Sequence, residues 1–244
     1  MTAVLTRPLI PTPRVPIEPM TRSTPAVAYQ RVLHQAMRRE FRMLAELASW
    51  APDDDAARTA DLTAHADLLS RVLLQHHATE RELLWPALFR NLPVRVHDTA
   101  LGVIDAWAGR ASALDHSLRD VVTLARQWAV AGTRPARTAF VRACTRLAAA
   151  VEAHTIAEEQ DLLPLLSRHL PDTAWTAVSR AGATTLSGRE QLLVLGLALE
   201  DASAIDRARL MAGLSPATRT AWRVVGHRNY RATVVRLRGA PPAT

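Results

Sequence analysis

A short polar motif occurs twice in this chain, each time inside a leucine-rich helical pattern. The first copy runs from His76 to Pro86 and the second from His154 to Pro164, and the two align without gaps. In both copies a glutamate, Glu80 or Glu158, follows the first histidine by one helical turn. Because residues i and i+4 share one face of a helix, an imidazole nitrogen and a carboxylate can converge on one point. The fold must therefore accommodate two such polar faces.

Four long stretches of the chain have apolar residues at three- and four-residue spacing, as in Leu33, Met37 and Phe41. Their approximate bounds are residues 27–50, 56–90, 96–131 and 136–169, and short breaks rich in Pro, Gly and Asp separate them. Short connections between long helices make neighbouring helices antiparallel. The sequence therefore predicts an all-α fold, with an antiparallel up-down four-helix bundle over residues 26–170.

Different composition marks the two ends of the chain. Residues 1–25 carry six prolines, which disfavour helix and sheet, so we expect a disordered arm that ends at a helix capped by Thr24 and begun by Pro25. Residues 171–244 predict a smaller helical extension rich in arginine, which either packs on the bundle or forms a separate unit. Its expected cap residues are Asp172, Ser187, Ser203 and Ser215.

Charge and composition restrict the classes of function. The net charge of +7 comes from arginine alone, since the chain has no lysine, and this bias weakens any argument for a nucleic-acid partner. The single cysteine, Cys144, excludes an intramolecular disulfide. No signal peptide and no apolar run long enough to cross a bilayer is recognisable, so we expect a cytoplasmic protein without membrane insertion. A protein partner at the C-terminal extension remains open.

A lone histidine precedes each copy of the motif at a similar interval, His34 before the first and His116 before the second. Two helix pairs would then bring four imidazoles and two carboxylates together, a set too polar to bury bare. A bound metal resolves the conflict, and nitrogen and oxygen ligands without thiolate suit iron or manganese, with zinc as a third candidate. One copy alone would usually be a solvated pair, but the paired copies favour metal. The predicted ligands are His34, His76, Glu80, His116, His154 and Glu158.

Together these motifs resemble the hemerythrin-like, HHE cation-binding domain, over about residues 27–170. The tail is similar to the tails of actinobacterial members. The resemblance implies a non-haem pair of iron ions with an oxo or hydroxo bridge, with manganese or zinc as weaker alternatives. Glu80 and Glu158 would bridge the pair. The terminal imidazoles would come from His34, His76, His116 and His154.

The sequence departs from the oxygen carriers of this family in two places. Their third helix has His-x-x-x-His where this chain has His116 and Asp120, and their last motif has an aspartate at a longer spacing than Glu158. Asp120 either replaces the missing imidazole or is solvated beside Arg119. His77 corresponds to Thr155 in the repeat, so we expect it at the flank of the core face, with an additional ligand role as the alternative.

Three functions are compatible with such a site. The first is reversible binding or sensing of a small diatomic, oxygen or nitric oxide, as the resemblance implies. The second is a di-iron oxidase or peroxidase that acts on oxygen, peroxide or nitrogen species, which the departure at Asp120 would favour. The third is regulation, in which the metal state changes the packing of the C-terminal helices. Whether the protein is an enzyme stays open at this stage.

Overall fold

The computed structural model describes residues 23–182, 184–240 and 242, and these residues form helices and connecting turns without any strand. The predicted arm of residues 1–25 lies outside the described residues as far as residue 22. The helices are α1 (Pro25–Ser49), α2 (Ala56–Thr79), α3 (Trp85–Asn91), α4 (His97–Ala131), α5 (Arg134–Asp161), α6 (Leu163–His169), α7 (Asp172–Ala181), α8 (Gly188–Glu200), α9 (Ala204–Gly213), α10 (Pro216–Ala221) and α11 (His227–Arg238). Short turns link several of them, namely π-helical turns at Glu80–Leu84 and Trp222–Gly226 and a 3-10 turn at Val94–Val96.

The predicted four-helix bundle is confirmed. Helix α1 packs against α2 and α5, and α4 packs against the same two helices, which closes a ring of four. Side-chain capping fixes where two of them begin. The Thr24 hydroxyl accepts the Val27 N–H at 3.3 Å, with Pro25 in the first turn, and Asp55 accepts the Arg58 N–H at 2.8 Å.

Each motif proline coincides with a break in a long helix. Before Pro86 the backbone widens into the π-helical turn Glu80–Leu84, and before Pro164 helix α5 ends at Asp161. A proline ring cannot donate to the carbonyl four residues earlier and would collide with it in a regular helix. The π-helical turn starts at Glu80 itself, one turn after His76. Wider turns of this type are frequent at functional sites.

Two apolar clusters fill the bundle and leave a polar layer between them. On α1 the layer separates Val27 of one cluster from Leu33 and Met37 of the other. The remaining helices repeat this order, with Leu73 followed by Leu84 and Val151 followed by Leu162. Every polar residue of the layer is buried. Its members are Gln30, His34, His76, His77, Glu80, His154 and Glu158.

The C-terminal helices pack on the bundle, chiefly on α1. Four of their apolar side chains, listed here, extend the bundle core: Leu197, Tyr230, Val234 and Leu237. Ser187, Ser203 and Ser215 cap helices as predicted, whereas Asp172 does not, because Pro171 occupies the cap position and Asp172 is the first helical residue. Among the described helices, none combines the length and the apolar character that a membrane span requires.

Charged side chains join this extension to α1 in a second buried polar cluster. The Glu40 carboxylate accepts hydrogen bonds from Arg39 at 2.8 Å and from Arg238 at 2.6 Å, and it lies 3.0 Å from Nε2 of His65. Arg238 also binds Glu200 at 2.7 Å. His65 therefore belongs to this cluster and not to the polar layer. Elsewhere on α1, Arg31 binds Asp206 of α9 at 2.9 Å.

Candidate metal centre

Helix α1 contributes an imidazole and an amide to the polar layer. The Nδ1 atom of His34 lies 3.2 Å from Glu159, which Arg38 also holds at 2.9 Å, and the ring is therefore anchored from outside. Its Nε2 atom points inward and lies 3.6 Å from Oε1 of Glu158. One turn earlier, the Gln30 amide donates to Glu80 at 2.5 Å and to Glu158 at 3.4 Å. Gln30 thus holds the two carboxylates close together.

The first copy of the motif places its side chains in the layer from α2 and the following π-helical turn. Nε2 of His76 lies 3.3 Å from Oε1 of Glu80, one turn away. The His76 ring also faces the ring of His34, with centroids 5.5 Å apart. Nitrogen and oxygen atoms of His34, His76, Glu80 and Glu158 lie within 4.8 Å of one another, close enough to ligate a common ion.

The second copy places Glu158 between two imidazoles. Its Oε1 faces His34, while its Oε2 lies 3.6 Å from Nε2 of His154. The indole N–H of Trp107, on α4, donates to the same Oε2 at 3.1 Å. Each oxygen of this carboxylate therefore meets a different histidine, which is the arrangement that a bridging carboxylate needs.

His77 completes the second half of the layer. It is fully buried, and its ring centroid lies 5.0 Å from that of His154. Nδ1 of His77 lies 2.5 Å from Asp115 on α4, and Asp115 is held in turn by Arg81 at 3.2 Å. A carboxylate behind an imidazole fixes the ring and directs the other nitrogen toward a metal. The expectation that His77 lies at the flank of the core face is therefore wrong.

Atoms without hydrogen-bond partners show that these residues fit a cation. Within the described part of the chain, Nε2 of His34, His76, His77 and His154 is buried and unpartnered, as is Oε2 of Glu80. Unpartnered buried polar atoms are rare and each is costly, about 1–3 kcal/mol. Most of those named here are imidazole nitrogens and one is a carboxylate oxygen, and their concentration in one layer, beside the unpartnered amide oxygen of Gln30, suits a site for iron, manganese or zinc.

Burial also shifts the pKa values of the titratable groups in the layer so that their uncharged forms are favoured. Desolvation, and then the charge of Glu158, raises the pKa of Glu80 well above its usual value. Desolvation, and then His34, lowers the pKa of His76 well below the usual value, and the pKa of His154 falls to about 3 mainly through burial. Near Glu80, burial and the carboxylate charge raise the pKa of Tyr29 to about 12. A cation in the layer would favour both ionised carboxylates and neutral imidazoles.

Two residues of the predicted set do not reach this layer. His116 and Asp120 are exposed on α4, so neither the predicted ligand nor its additional candidate lies near the other side chains. The reason is the register of α4, whose inward face repeats at three- and four-residue spacing. The buried residues of this face are Trp107, Ala111, Leu114, Leu118, Val121, Ala125 and Trp128. Both His116 and Asp120 fall between these positions, on the outer side of the helix.

Gln30, Trp107 and Asp115 are not among the predicted site residues, although the sequence contains signals for two of them. Gln30 precedes His34 by one turn and shares its face. The spacing of apolar residues on α4 already places Trp107 inward and His116 outward. Asp115 had no comparable signal, because its role depends on His77 approaching from another helix.

Comparison with known families agrees with this geometry. The sequence profile of the hemerythrin HHE cation-binding domain matches residues 26–166, which span the bundle and both copies of the motif. No curated protein and no solved structure matches the chain.

Proposed function

This chain belongs to the hemerythrin HHE cation-binding family, and from that membership and the geometry of the polar layer we propose that it is a non-haem di-iron protein that binds or senses a small diatomic, oxygen or nitric oxide. The observation that carries the proposal is the convergence of four buried, unpartnered imidazole nitrogens around two carboxylates. Ferrous ions bound there would supply the electrons and the open coordination positions that a diatomic ligand needs.

The proposed ligands divide into two groups around the shared carboxylates Glu80 and Glu158. His34 and His76 would hold one ion, since their rings are adjacent and each faces one of these carboxylates. His77 and His154, whose rings are also adjacent, would hold the other. Each ion would then be held by two imidazoles and would share the carboxylates with the other, and metals that prefer higher coordination numbers would keep room for a small ligand.

Surrounding residues orient these ligands and restrict access. Glu159 and Asp115 hold the outer nitrogens of His34 and His77, so that the inner nitrogens stay directed into the layer. The indole of Trp107 orients Glu158 through its N–H. Apolar clusters above and below the layer exclude bulk water, and a small uncharged molecule can enter such a site at lower cost than an ion.

An anaerobic titration tests the proposed activity. Protein loaded with ferrous iron is exposed to oxygen, and separately to nitric oxide, while its visible absorbance is recorded. Binding predicts an absorbance change that reverses when the gas is removed. An absorbance change that decays with the accumulation of an oxidised product would instead support the oxidase or peroxidase alternative. The sequence feature that favoured this alternative, Asp120, is exposed and does not contribute to the layer.

Regulation through the C-terminal helices is a second candidate, because those helices contact the element that carries His34. Arg31 on α1 binds Asp206 of α9, and Glu40 on α1 binds Arg238 of α11. A change in α1 on metal binding would therefore reach both contacts. Hydrogen exchange of α9 and α11, measured with and without metal, tests this candidate, and identical protection in the two states would exclude it.

A further inference from the structure

Arg110 has an unusual environment for an arginine side chain. Its Nε and Nη2 atoms are buried, and within the described residues neither has a hydrogen-bond partner. These two nitrogens share the edge of the guanidinium group that forms paired, parallel hydrogen bonds with planar oxyanions. The edge of Arg110 that is best suited to a two-oxygen ligand is therefore the one left without a partner.

The register of α4 and α5 places Arg110 at the level of the polar layer. The two helices are antiparallel neighbours, and Trp107 on α4 hydrogen-bonds Glu158 on α5. Arg110 follows Trp107 by about one turn, and His154 precedes Glu158 by one turn, so both lie at the same level of the helix pair.

His154 lacks the acidic partner that anchors two other histidines of the layer. His34 and His77 each have an acidic partner on Nδ1, whereas Nδ1 of His154 is buried and has no partner. Nε2 of His154 faces Glu158, so a cation bound there leaves the ring proton on Nδ1. An N–H donor at this position needs an acceptor, and metal-bound histidines ordinarily have one.

We propose that Arg110 and His154 form a binding site for a small oxyanion with two coplanar oxygens, of the carboxylate type. One pair of oxygens would accept from Nε and Nη2 of Arg110, and one of them would also accept from Nδ1 of His154. The ligand supplies the acceptor that His154 lacks and takes the place that Glu159 and Asp115 have at the other two rings. The part played by His154 rests on the proposed metal function, whereas anion binding by the paired donors of Arg110 does not.

Charge favours an anion at this position. Two divalent ions would exceed the charge of Glu80 and Glu158, and the guanidinium of Arg110 adds a further positive charge. Two acidic groups near His154 already have other partners, since Asp115 is held by His77 and Arg81, and Glu158 accepts from Trp107. An anion from solution can therefore bind Arg110 without displacing these contacts.

Formate is a suitable probe, because it is the smallest carboxylate. Its binding to the metal-loaded protein is measured by calorimetry for the wild type, Arg110→Gln, Arg110→Lys and a matched control, Arg119→Gln, which alters an exposed arginine on the same helix. The site predicts that Arg110→Gln weakens binding about tenfold or more, since two charge-assisted hydrogen bonds are lost. Arg110→Lys keeps the charge without the paired edge and should lie between the two. Arg119→Gln should bind formate like the wild type.

A second measurement separates this site from direct ligation of the metal. Formate should raise the melting temperature of the metal-free wild type but not that of metal-free Arg110→Gln, because the arginine donors belong to the protein. This result would support the anion site even if the di-iron proposal failed. Equal formate binding by wild type and both Arg110 variants, with metal content retained, would overturn it, as would the absence of formate binding to wild type. If Arg110→Gln does not fold, Arg110→Lys decides between these results.

Discussion

The Nδ1 atom of His77 lies 2.5 Å from Oδ1 of Asp115, and this contact joins α2 to α4 behind the polar layer. In the proposed metal site, His77 takes the place that the sequence repeat predicts for His116 on α4. The third long helix of the bundle therefore supports an imidazole from another helix, whereas His116 on that helix is exposed.

Replacing each of the two histidines, His77 and His116, separately by alanine tests this relationship. His77→Ala should reduce the metal content of the purified protein from about two ions per chain to about one, because one proposed ion loses an imidazole ligand. His116→Ala is the matched control on the exposed side of α4 and should keep the full content. Elemental analysis measures both variants. Equal losses in the two would place His116 back among the ligands.

Asp115→Asn tests whether the Asp115 carboxylate supports His77, without removing a proposed metal ligand. The amide can still contact His77 but lacks the negative charge that favours its inner nitrogen as a metal ligand. Metal affinity should fall about 10- to 100-fold, as is usual for residues that orient ligands. Competition with a chelator gives the affinity, and Asp105→Asn, on an exposed part of the same helix, provides the comparison. An unchanged affinity in Asp115→Asn would mean that this hydrogen bond does not tune the site.

How much of this site was predictable depended on the type of signal. The helix bounds and the convergence of His34, His76, Glu80 and Glu158 follow from apolar periodicity and from the one-turn spacing within each motif. The resemblance of the two copies suggested a symmetric site, and this symmetry failed at His116. The spacing of apolar residues along one helix indicates which side chains face the core. On α4 this spacing places His116 on the outer face, which corrects the ligand that the repeat predicts. Pairing across helices, as between His77 and Asp115, depends on packing that one-dimensional spacing does not specify.

The indole of Trp107 provides a further test of how Glu158 is positioned. Trp107→Phe preserves most of the buried ring but removes the N–H that donates to Glu158 at 3.1 Å. We expect metal to bind roughly tenfold more weakly, since an oriented carboxylate loses its hydrogen bond. Trp50→Phe is the control, because that indole is 85% exposed at the end of α1. Equal metal affinity in both variants would contradict a role for the Trp107 N–H.

The buried cluster around Glu40 predicts a pH dependence of stability. Burial raises the pKa of this carboxyl, but the hydrogen bond and charge of His65 and the charges of Arg39 and Arg238 outweigh it, and the pKa falls to about 2. Because the folded pKa is below the unfolded one, the stabilisation is present above about pH 4.5 and is lost as the pH falls toward 2. Its size at neutral pH is on the order of 3 kcal/mol.

Urea unfolding of metal-free protein at neutral pH and at pH 3 measures this contribution. Glu40→Gln should be less stable than the wild type at neutral pH, and the difference between the two should shrink at pH 3. Glu46→Gln alters an exposed carboxylate of the same helix and should leave the profile unchanged. A stability difference between Glu40→Gln and the wild type that is constant with pH would contradict the assignment.

Close packing of α8 on α11 gives a test of the C-terminal extension. A Cβ atom at Gly196 would overlap the ring of Tyr230, which is buried against the bundle core. Gly196→Ala should therefore lower the free energy of unfolding by about 1–3 kcal/mol. Gly102→Ala, in an open and exposed part of α4, should instead raise it by about 0.5–1 kcal/mol. Equal effects of the two substitutions would argue against tight packing of this extension.

The most direct test of the central claim is the stoichiometry of anaerobic ferrous-ion binding, measured for the wild type, Glu80→Ala and Glu158→Ala. Two shared carboxylates predict saturation of the wild type at about two ions per chain. They also predict that removing either carboxylate weakens both ions together, because Glu158 faces both His34 and His154, and Glu80 faces His76 and shares the Gln30 amide with Glu158. Saturation of the wild type at one ion, or full retention of two ions in both variants, would contradict a di-metal centre bridged by Glu80 and Glu158.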